Sequence, residues 1–216
     1  MCGELNFNRM PVIGEPAPDF EAVTTNGPMK LSDLKGKWVV MFSHPADFTP
    51  VCTTEFLAFA QVAEELKAMN TQLLGLSIDS IHSHLAWIKN IKEKMGVAIP
   101  FPVIADLSMT IARQYGMIHP GQSTTATIRT VFFIDDKGNM RAMIYYPLSN
   151  GRYIPEIIRL VKALQTTDKF GVSTPANWQP GEKVIVPPPK TTAEMEKRAG
   201  EGYECKDWYL CFKKAE

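Results

Sequence analysis

The chain has no excess of charge of either sign, because its 216 residues carry 23 lysines and arginines against 23 aspartates and glutamates. Balanced charge gives no global drive towards nucleic acid or an anionic membrane surface, so we expect neither as a partner. No run of about 18 apolar residues occurs, and no transmembrane helix is expected. Residues 1–5 also lack the basic and then apolar pattern of a secretory signal, which makes a cytoplasmic protein the expectation.

Cysteine is scarce as well. The four cysteines are too few, in a chain of this length, for the disulfide framework of a small secreted protein, and they favour reactive or metal-binding roles. Cys52 has no second cysteine beside it, so the Cys-x-x-Cys pattern of a general thiol–disulfide oxidoreductase is missing. We assign no role to Cys2, which lies in the N-terminal segment.

Hydrophobic periodicity predicts an α/β chain. The predicted elements are strand 38–43, helix 53–69, strand 72–78, helix 81–95, strand 102–105, helix 109–115, strands 130–134 and 140–146, and helix 153–164. The segment 135–139 between the last two strands is typical of a hairpin. This order predicts a central mixed β-sheet flanked by helices, which is the element order of a thioredoxin-like fold.

Two of the predicted helices show an apolar face. In helix 53–69 this face consists of Phe56, Phe59, Ala63, Leu66 and Met69. In helix 81–95 we expect the corresponding face to consist of Leu85, Ile88, Ile91 and Met95.

The composition of the chain changes after Thr166, where proline-rich irregular segments begin. We expect no more regular structure there than a short charged helix over 192–200. We therefore expect a thioredoxin-like domain over 1–166. Residues 167–216 are expected to form a C-terminal extension that packs as an arm on a partner subunit.

Cys52 is the principal candidate for catalysis. It follows an apolar strand and a proline-bounded loop, 45–50, and stands where a helix begins. The unpaired amides and the positive end of the helix dipole meet at such a place, and both favour the reactive thiolate. Burial as an inert small hydrophobic residue is the alternative, which the polar loop disfavours.

The loop and strand motifs resemble those of peroxiredoxins. Pro45, Thr49 and Cys52 match the Pro-x-x-x-Thr-x-x-Cys motif of that family, and Glu55 and the strand that begins at Arg129 match as well. The segments 43–52 and 174–178 are similar to the one-cysteine-like subfamily, in particular its archaeal and bacterial members. The resemblance extends over essentially the whole chain.

The resemblance implies a thiol-dependent peroxidase without metal, haem or flavin, in which Cys52 becomes a sulfenic acid. Arg129 would hold thiolate and peroxide with its fork of donors, and Thr49 would donate to the thiolate or accept from the peroxide hydroxyl. Pro45 would shield the sulfenic acid from water, and Glu55 would orient Arg129. The resemblance also assigns His44 and Arg152 to peroxide binding, although each could be a structural residue.

The resemblance extends to the tail cysteines. It implies that Cys211 of another subunit resolves the sulfenic acid as a disulfide, with Cys205 as a possible exchange partner of Cys211. A plain tail disulfide and two idle thiols are the alternatives, and in those cases Cys52 works alone with an external thiol. The implied partners are a peroxide, a thioredoxin-like or glutaredoxin-like reductant, and further copies of the chain in a dimer or a ring of dimers such as a decamer.

Two other interpretations compete with this one. A metal could use His82 and His84 or the pair Cys205 and Cys211, but the spacing is not that of a zinc finger, and His119 lies apart in a loop. We therefore expect no metal and no cofactor. The second alternative is a redox-regulated, chaperone-like oligomer, which the 11 methionines and the apolar tail would permit.

Overall fold

The computed structural model describes residues 10–198 and 200–215, so Cys2 lies outside the described residues. The chain divides into two compact units, Met1–Ile154 and Pro155–Glu216. The division at residues 166 and 167, and the packing of the tail on a partner subunit, stay predictions.

The first unit is built around one sheet. Its strands are β1 (Glu21–Thr24), β2 (Gly27–Lys30), β3 (Trp38–Ser43), β4 (Thr71–Ser77), β5 (Val103–Ala105), β6 (Arg129–Ile134) and β7 (Met140–Tyr146). They lie in the order β2-β1-β5-β4-β3-β6-β7. The pairs β3–β4 and β4–β5 are parallel, and the other pairs are antiparallel.

Helices follow the parallel strands. They are α1 (Pro50–Ala68), α2 (Ile81–Met95) and the short α3 (Thr110–Gln114), and a single 3-10 turn covers Leu31–Leu34. α1 packs against β4, and α2 packs against β5. The mixed sheet flanked by helices confirms the predicted thioredoxin-like fold.

The central strands supply the core. Every residue of β3 and β6 is buried, as expected for strands with neighbours on both sides and covered faces. Phe42 of β3 stacks on Phe59 of α1 with ring centroids 4.0 Å apart. Gly75 of β4 lies against the same rings, and a Cβ at that position would be 3.4 Å from both Phe42 and Phe56. The core thus fixes α1 against the sheet.

The buried face of α2 differs from the prediction. His84, Trp87 and Ile91 are buried, whereas Leu85 and Met95 are about half exposed. The apolar face predicted through Leu85 and Met95 is therefore wrong. The buried positions recur at three- and four-residue steps, and Trp87 contributes the largest apolar surface, so the helix presents the side that carries Trp87.

The second unit holds the tail. It contains α4 (Ile154–Phe170, which begins at the last residue of the first unit), β8 (Val184–Ile185), α5 (Thr192–Arg198), β9 (Glu204–Asp207) and β10 (Leu210–Lys213). The strands form a sheet in the order β8-β10-β9, and Trp178 is buried beside Val184 in a small core. The short charged helix is confirmed as α5. The strands were not predicted, because β8 has two residues and β9 is exposed throughout.

The tail cysteines meet in this sheet. Cys205 of β9 is paired with Cys211 of β10 in the antiparallel register, and the two form a disulfide. Among the described helices, none is long and apolar enough to cross a membrane.

Candidate active site

The site lies where three neighbouring strands of the first unit meet. β3 and β4 are parallel, so the loop after Ser43 and the turn after Ser77 leave the same edge of the sheet. β6 runs antiparallel to β3, which places its first residue, Arg129, at this edge too. Residues from distant parts of the sequence are therefore brought together there.

The start of α1 carries Cys52. Thr49 is the N-cap in extended conformation, Pro50 is the first helical residue and Cys52 is the third. Pro50 suits this position, because its ring presets the helical φ and the missing N–H would have no partner there. The Cys52 side chain is a free thiol and is completely buried.

Arg129 connects Cys52 to Glu55. Its Nη1 donates to the Cys52 sulfur at 3.3 Å and to Glu55 Oε2 at 2.8 Å, and its Nε donates to the Leu148 carbonyl at 3.0 Å. The guanidinium is almost fully buried, with 3% of its residue surface exposed. A fixed positive charge therefore lies against the sulfur. The Glu55 carboxylate and the Leu148 carbonyl hold this guanidinium in place.

Arg152 holds Glu55 from the other side. Its backbone N–H and Nε donate to Glu55 Oε1 at 2.9 and 2.8 Å, and its Nη2 donates to Oε2 at 2.5 Å. Its Nη1 donates to the carbonyls of Ser43 and Thr130 at 2.8 and 2.9 Å. Burial lowers the pKa of Arg152, and Glu55 opposes this shift. Glu55 is thus bound by two arginines.

Thr49 and Pro45 frame the loop before Cys52. The Thr49 hydroxyl donates to the Ala46 carbonyl at 2.7 Å. Its only hydrogen is therefore committed, and its oxygen can only accept from a further group. Pro45 is partly buried. Phe48, between them, has a left-handed φ of 55° and is 57% exposed.

A second buried carboxylate lies in the same loop. Asp47 Oδ1 is 2.9 Å from His44 Nε2, and Asp47 Oδ2 is 2.8 Å from His84 Nδ1. The Asp47 backbone N–H donates to Asp79 Oδ2 at 3.1 Å, and the Ser77 hydroxyl donates to the same oxygen at 2.6 Å.

The pKa values in this cluster move in consistent directions. Burial alone would raise the pKa of Asp47, but hydrogen bonds from His44 and His84 outweigh it and hold that pKa well below its usual range. Burial lowers the pKa of His44, and Asp47 only partly opposes this. The carboxylate of Asp47 is therefore ionised at neutral pH, and His44 is neutral.

His44, Asp47 and His84 are also the described group in which three metal-ligating side chains come within 4.8 Å of one another. Their facing atoms are already hydrogen-bonded to each other, so the contacts are accounted for without a metal.

A surface cavity of about 290 Å³ elsewhere in the first unit is lined by Val39 and Ile134 and by Lys35, Lys37 and Lys137, and includes none of the residues around Cys52.

Comparison with known proteins decides the family. A model of the AhpC/TSA family matches residues 13–143, and a model of the C-terminal domain of 1-Cys peroxiredoxin matches residues 163–202. A peroxiredoxin of Aquifex aeolicus is 62% identical over 216 residues, which cover 95% of this chain and 97% of that protein. The chain belongs to the peroxiredoxin family. It is thus a thiol peroxidase, an enzyme that reduces peroxides.

Other peroxiredoxins agree. A peroxiredoxin of the archaeon Methanosarcina mazei is 54% identical, over 95% of this chain and 98% of its own. The structure of a yeast mitochondrial 1-Cys peroxiredoxin superimposes with a TM-score of 0.85 at 42% identity, over 95% of this chain and all of that one. A cysteine-to-serine mutant of peroxiredoxin 6 of Arenicola marina gives a TM-score of 0.85 at 36% identity, over 95% and 98%.

The structure groups Cys52, Glu55, Arg129 and Arg152 by direct contacts, and Thr49 lies at the start of the same helix. Sequence reasoning missed the part played by Asp47, and it considered His84 only as a metal ligand. The signal that could have found them was the three-residue spacing of His44 and Asp47 in a loop that follows a buried strand.

Proposed function

We propose that Cys52 is the peroxidatic sulfur of this peroxiredoxin, acting on hydrogen peroxide and organic hydroperoxides. The observation that carries the proposal is the 3.3 Å contact between Arg129 Nη1 and the Cys52 sulfur, in a position where the same guanidinium can also hold the peroxide. The thiolate attacks the terminal peroxide oxygen and the O–O bond breaks. The sulfur loses two electrons and becomes a sulfenic acid, while the leaving oxygen takes up a proton as water or an alcohol.

The neighbouring residues have distinct parts in this proposal. Thr49, whose hydrogen is committed to Ala46, accepts a hydrogen bond from the peroxide hydroxyl. Glu55 fixes the orientation of Arg129. Pro45 limits access of water to the sulfenic acid. His44 contributes to peroxide binding.

Arg152 has a different basis in the proposal. Its side-chain donors are engaged with Glu55 and with two backbone carbonyls. These contacts support an indirect contribution to peroxide binding, in which Arg152 holds Glu55 and thereby Arg129.

Stopped-flow measurement of peroxide consumption tests the assignment. Cys52→Ser should abolish turnover, since a serine hydroxyl at neutral pH is a far weaker nucleophile than a thiolate. Cys205→Ser is the matched control for removing a cysteine, and its first oxidation by peroxide should proceed at the rate of the unmodified protein. Full activity in Cys52→Ser would refute the proposal.

For the second half of the cycle, we propose that Cys211 of another subunit attacks the sulfenic acid, forming a Cys52–Cys211 disulfide and releasing water. Cys205 then attacks Cys211 and releases Cys52 as a thiol, and a thioredoxin-like or glutaredoxin-like dithiol protein reduces the resulting tail disulfide. The Cys205–Cys211 bond supports this scheme, because it is the product that the exchange would leave.

A one-cysteine cycle is the second candidate, in which an external thiol attacks the sulfenic acid of Cys52. Cys211 is 1% exposed, and a sulfur so buried favours a tail that takes no part. One equivalent of peroxide, added to the Cys205→Ser variant after reduction and removal of the reductant, separates the two, because Cys205 can no longer release Cys52 from the intersubunit disulfide. A disulfide-linked dimer on a non-reducing gel, with a Cys52–Cys211 peptide in the digest, supports the intersubunit cycle, and a monomer with sulfenic Cys52 supports the one-cysteine cycle.

Assembly and location are also proposals. We expect a homodimer or a ring of dimers such as a decamer, because the intersubunit cycle needs a second tail beside each Cys52. Light scattering on a sizing column measures the mass directly, and a monomer of 24.2 kDa would contradict an intersubunit cycle. We expect the protein to work in the cytoplasm, which cell fractionation tests.

A further inference from the structure

We propose that Asp47 and His84 are positioning residues that hold His44 in one tautomer, with its hydrogen on Nε2 and with Nδ1 as a bare acceptor for the O–H of hydrogen peroxide that Thr49 does not accept. This inference rests on the proposed peroxidase function. It adds a hydrogen-bonded chain of three side chains that prepares one residue of the peroxide site.

The contacts of His44 lead to this tautomer. Its Nε2 is 2.9 Å from Asp47 Oδ1, and a carboxylate oxygen accepts, so Nε2 carries the hydrogen. Its Nδ1 is buried and has no hydrogen-bond partner among the described residues. Leaving a buried polar atom unpaired destabilises the folded state, so such an atom needs an explanation. A ligand hydroxyl that binds to Nδ1 during the reaction provides this explanation.

His84 limits which hydrogen bonds the Asp47 carboxylate can make. Its Nε2 is 3.1 Å from the Ile104 carbonyl, which can only accept, so this nitrogen also carries a hydrogen. Its Nδ1 faces Asp47 Oδ2 at 2.8 Å and Oδ1 at 3.0 Å. One proton therefore lies between His84 Nδ1 and the Asp47 carboxylate. The remaining capacity of Oδ1 is occupied by His44 Nε2, which prevents the hydrogen of His44 from moving to Nδ1.

The position of His44 places it beside the catalytic helix. Its ring packs on Phe56 at 4.9 Å and on Trp87 at 5.2 Å. Phe56 is one helical turn after Cys52, so both lie on the same face of α1. The backbone of His44 is fixed at both ends, because its N–H donates to the Leu76 carbonyl and its carbonyl accepts from the Thr127 hydroxyl.

The charges that face His44 come from three elements. Asp47 lies in its own loop, Asp79 follows β4 and His84 belongs to α2. The two carboxylates favour a protonated His44, whereas His84 and burial oppose it. With burial as the largest of these effects, His44 stays neutral and its Nδ1 keeps a lone pair that a peroxide hydroxyl can use.

Kinetics of Asp47→Leu, which has no acceptor for His44 Nε2, and of His84→Gln test the proposal, with His82→Gln as the matched control, since His82 is exposed on the same helix. Wild-type oxidation by hydrogen peroxide is measured first, and its absence would refute the proposed function itself. The second-order rate constant for peroxide should fall about a hundredfold in both variants, the lower end of the range for a group that handles a proton. The rate of Cys52 alkylation by iodoacetamide should not change.

Two outcomes would overturn the proposal. One is an unchanged peroxide rate in either folded variant. The other is an equal fall in peroxide and iodoacetamide rates, which would mean that the cluster only shapes the loop. His82→Gln should match the wild type in both assays.

The tautomer can also be read by comparing the wild-type protein with a folded His44→Gln variant, which does not require the Asp47 and His84 variants to fold. The chain has four histidines. Solid-state ¹⁵N spectra of histidine-labelled protein, compared with His44→Gln, should show that the substitution removes one protonated Nε2 and one unprotonated Nδ1. Removal of a protonated Nδ1 would refute the assignment.

Discussion

Two buried carboxylates, Glu55 and Asp47, each bridge a pair of basic side chains in the first unit. Glu55 lies between Arg129 and Arg152, and Asp47 lies between His44 and His84. Both acids are nearly inaccessible to solvent. The arrangements look alike, but an arginine stays charged at any working pH, whereas a histidine gains or loses its charge near neutrality.

The arginine bridge and the histidine bridge therefore suit different tasks. The arginine pair supplies constant positive charge next to the Cys52 sulfur, and this charge does not respond to pH. Burial lowers the pKa of His44, so the histidine pair can present an uncharged nitrogen. A reaction that needs a fixed cation and a neutral acceptor at the same edge of one sheet requires both kinds of bridge.

The largest effect is expected where the arginine bridge is broken. Glu55→Gln leaves two buried guanidinium groups without their shared anion, which should lower the free energy of unfolding by about 3–5 kcal/mol. Urea denaturation at fixed protein concentration measures this. Glu64→Gln is the control on the same helix, because its ion pair with Lys67 is exposed and should contribute about 0–1 kcal/mol. Similar losses in both variants would contradict the buried bridge.

Replacing one arginine while keeping its charge gives a smaller effect. Arg129→Lys retains a cation but loses the planar group whose Nη1 donates to the Cys52 sulfur and to Glu55 while its Nε donates to the Leu148 carbonyl. The peroxide rate constant should fall about a hundredfold, as when one donor of an oxyanion hole is removed. Arg141→Lys, on the neighbouring strand β7, should leave the rate constant unchanged in the same stopped-flow assay. A normal rate in Arg129→Lys would show that charge alone suffices.

The histidine bridge should impose a pH dependence on stability that the arginine bridge does not. The folded-state pKa of His44 lies below its unfolded value of about 6.5, so the unfolded chain binds more protons below that pH. Stability from His44 is complete above about pH 6.5 and is lost as the pH falls.

Asp47 adds a loss at lower pH by the same reasoning. Its folded pKa lies below the unfolded value of about 3.9, and its contribution disappears as the pH falls past that value.

The contribution of His44 is measured by urea denaturation between pH 7 and pH 5. The free energy of unfolding should change less with pH in His44→Gln than in the wild type. Equal slopes would refute a neutral, buried His44.

The smallest effect is expected for the hydrogen bonds that hold the backbone N–H of Asp47. The Ser77 hydroxyl donates to Asp79 Oδ2, which also accepts the Asp47 backbone N–H. Ser77→Ala removes this hydrogen bond and the one that the Ser77 oxygen accepts from the Asp79 backbone N–H, so it should lower the free energy of unfolding by about 2 kcal/mol. Ser108→Ala, at an exposed position, should have no measurable effect. A null result for Ser77 would mean that Asp79 does not need this donor.

The sequence predicted the fold well where pattern and burial coincide. The apolar run 38–43 is a central strand, and the spacing of Phe56 and Phe59 follows the buried face of α1. The pattern failed for α2, whose buried face includes the polar His84. A histidine enters a core only with partners, and those partners, Asp47 and Ile104, come from other segments of the chain.

The same reasoning applies to the site. Residues in a short motif, such as Pro45, Thr49 and Cys52, could be proposed from spacing. The contacts of Arg152 with Ser43 and Thr130 join residues that are 109 and 22 positions apart, and only the folded sheet shows them. The β9–β10 hairpin was missed because neither four-residue strand shows an alternating pattern: β9 is exposed throughout, and β10 is half-buried except for the buried Cys211.

The complete burial of Cys52 has a kinetic consequence. A peroxide is small enough to diffuse to the sulfur, but a thiol carried on a polypeptide needs backbone to move aside. The first hydrogen bond of α1, from the Thr53 N–H to the Thr49 carbonyl, must open before such a thiol can approach. Transient unwinding of this turn should therefore set a ceiling on the rate of disulfide formation, and that rate should saturate as thiol concentration rises.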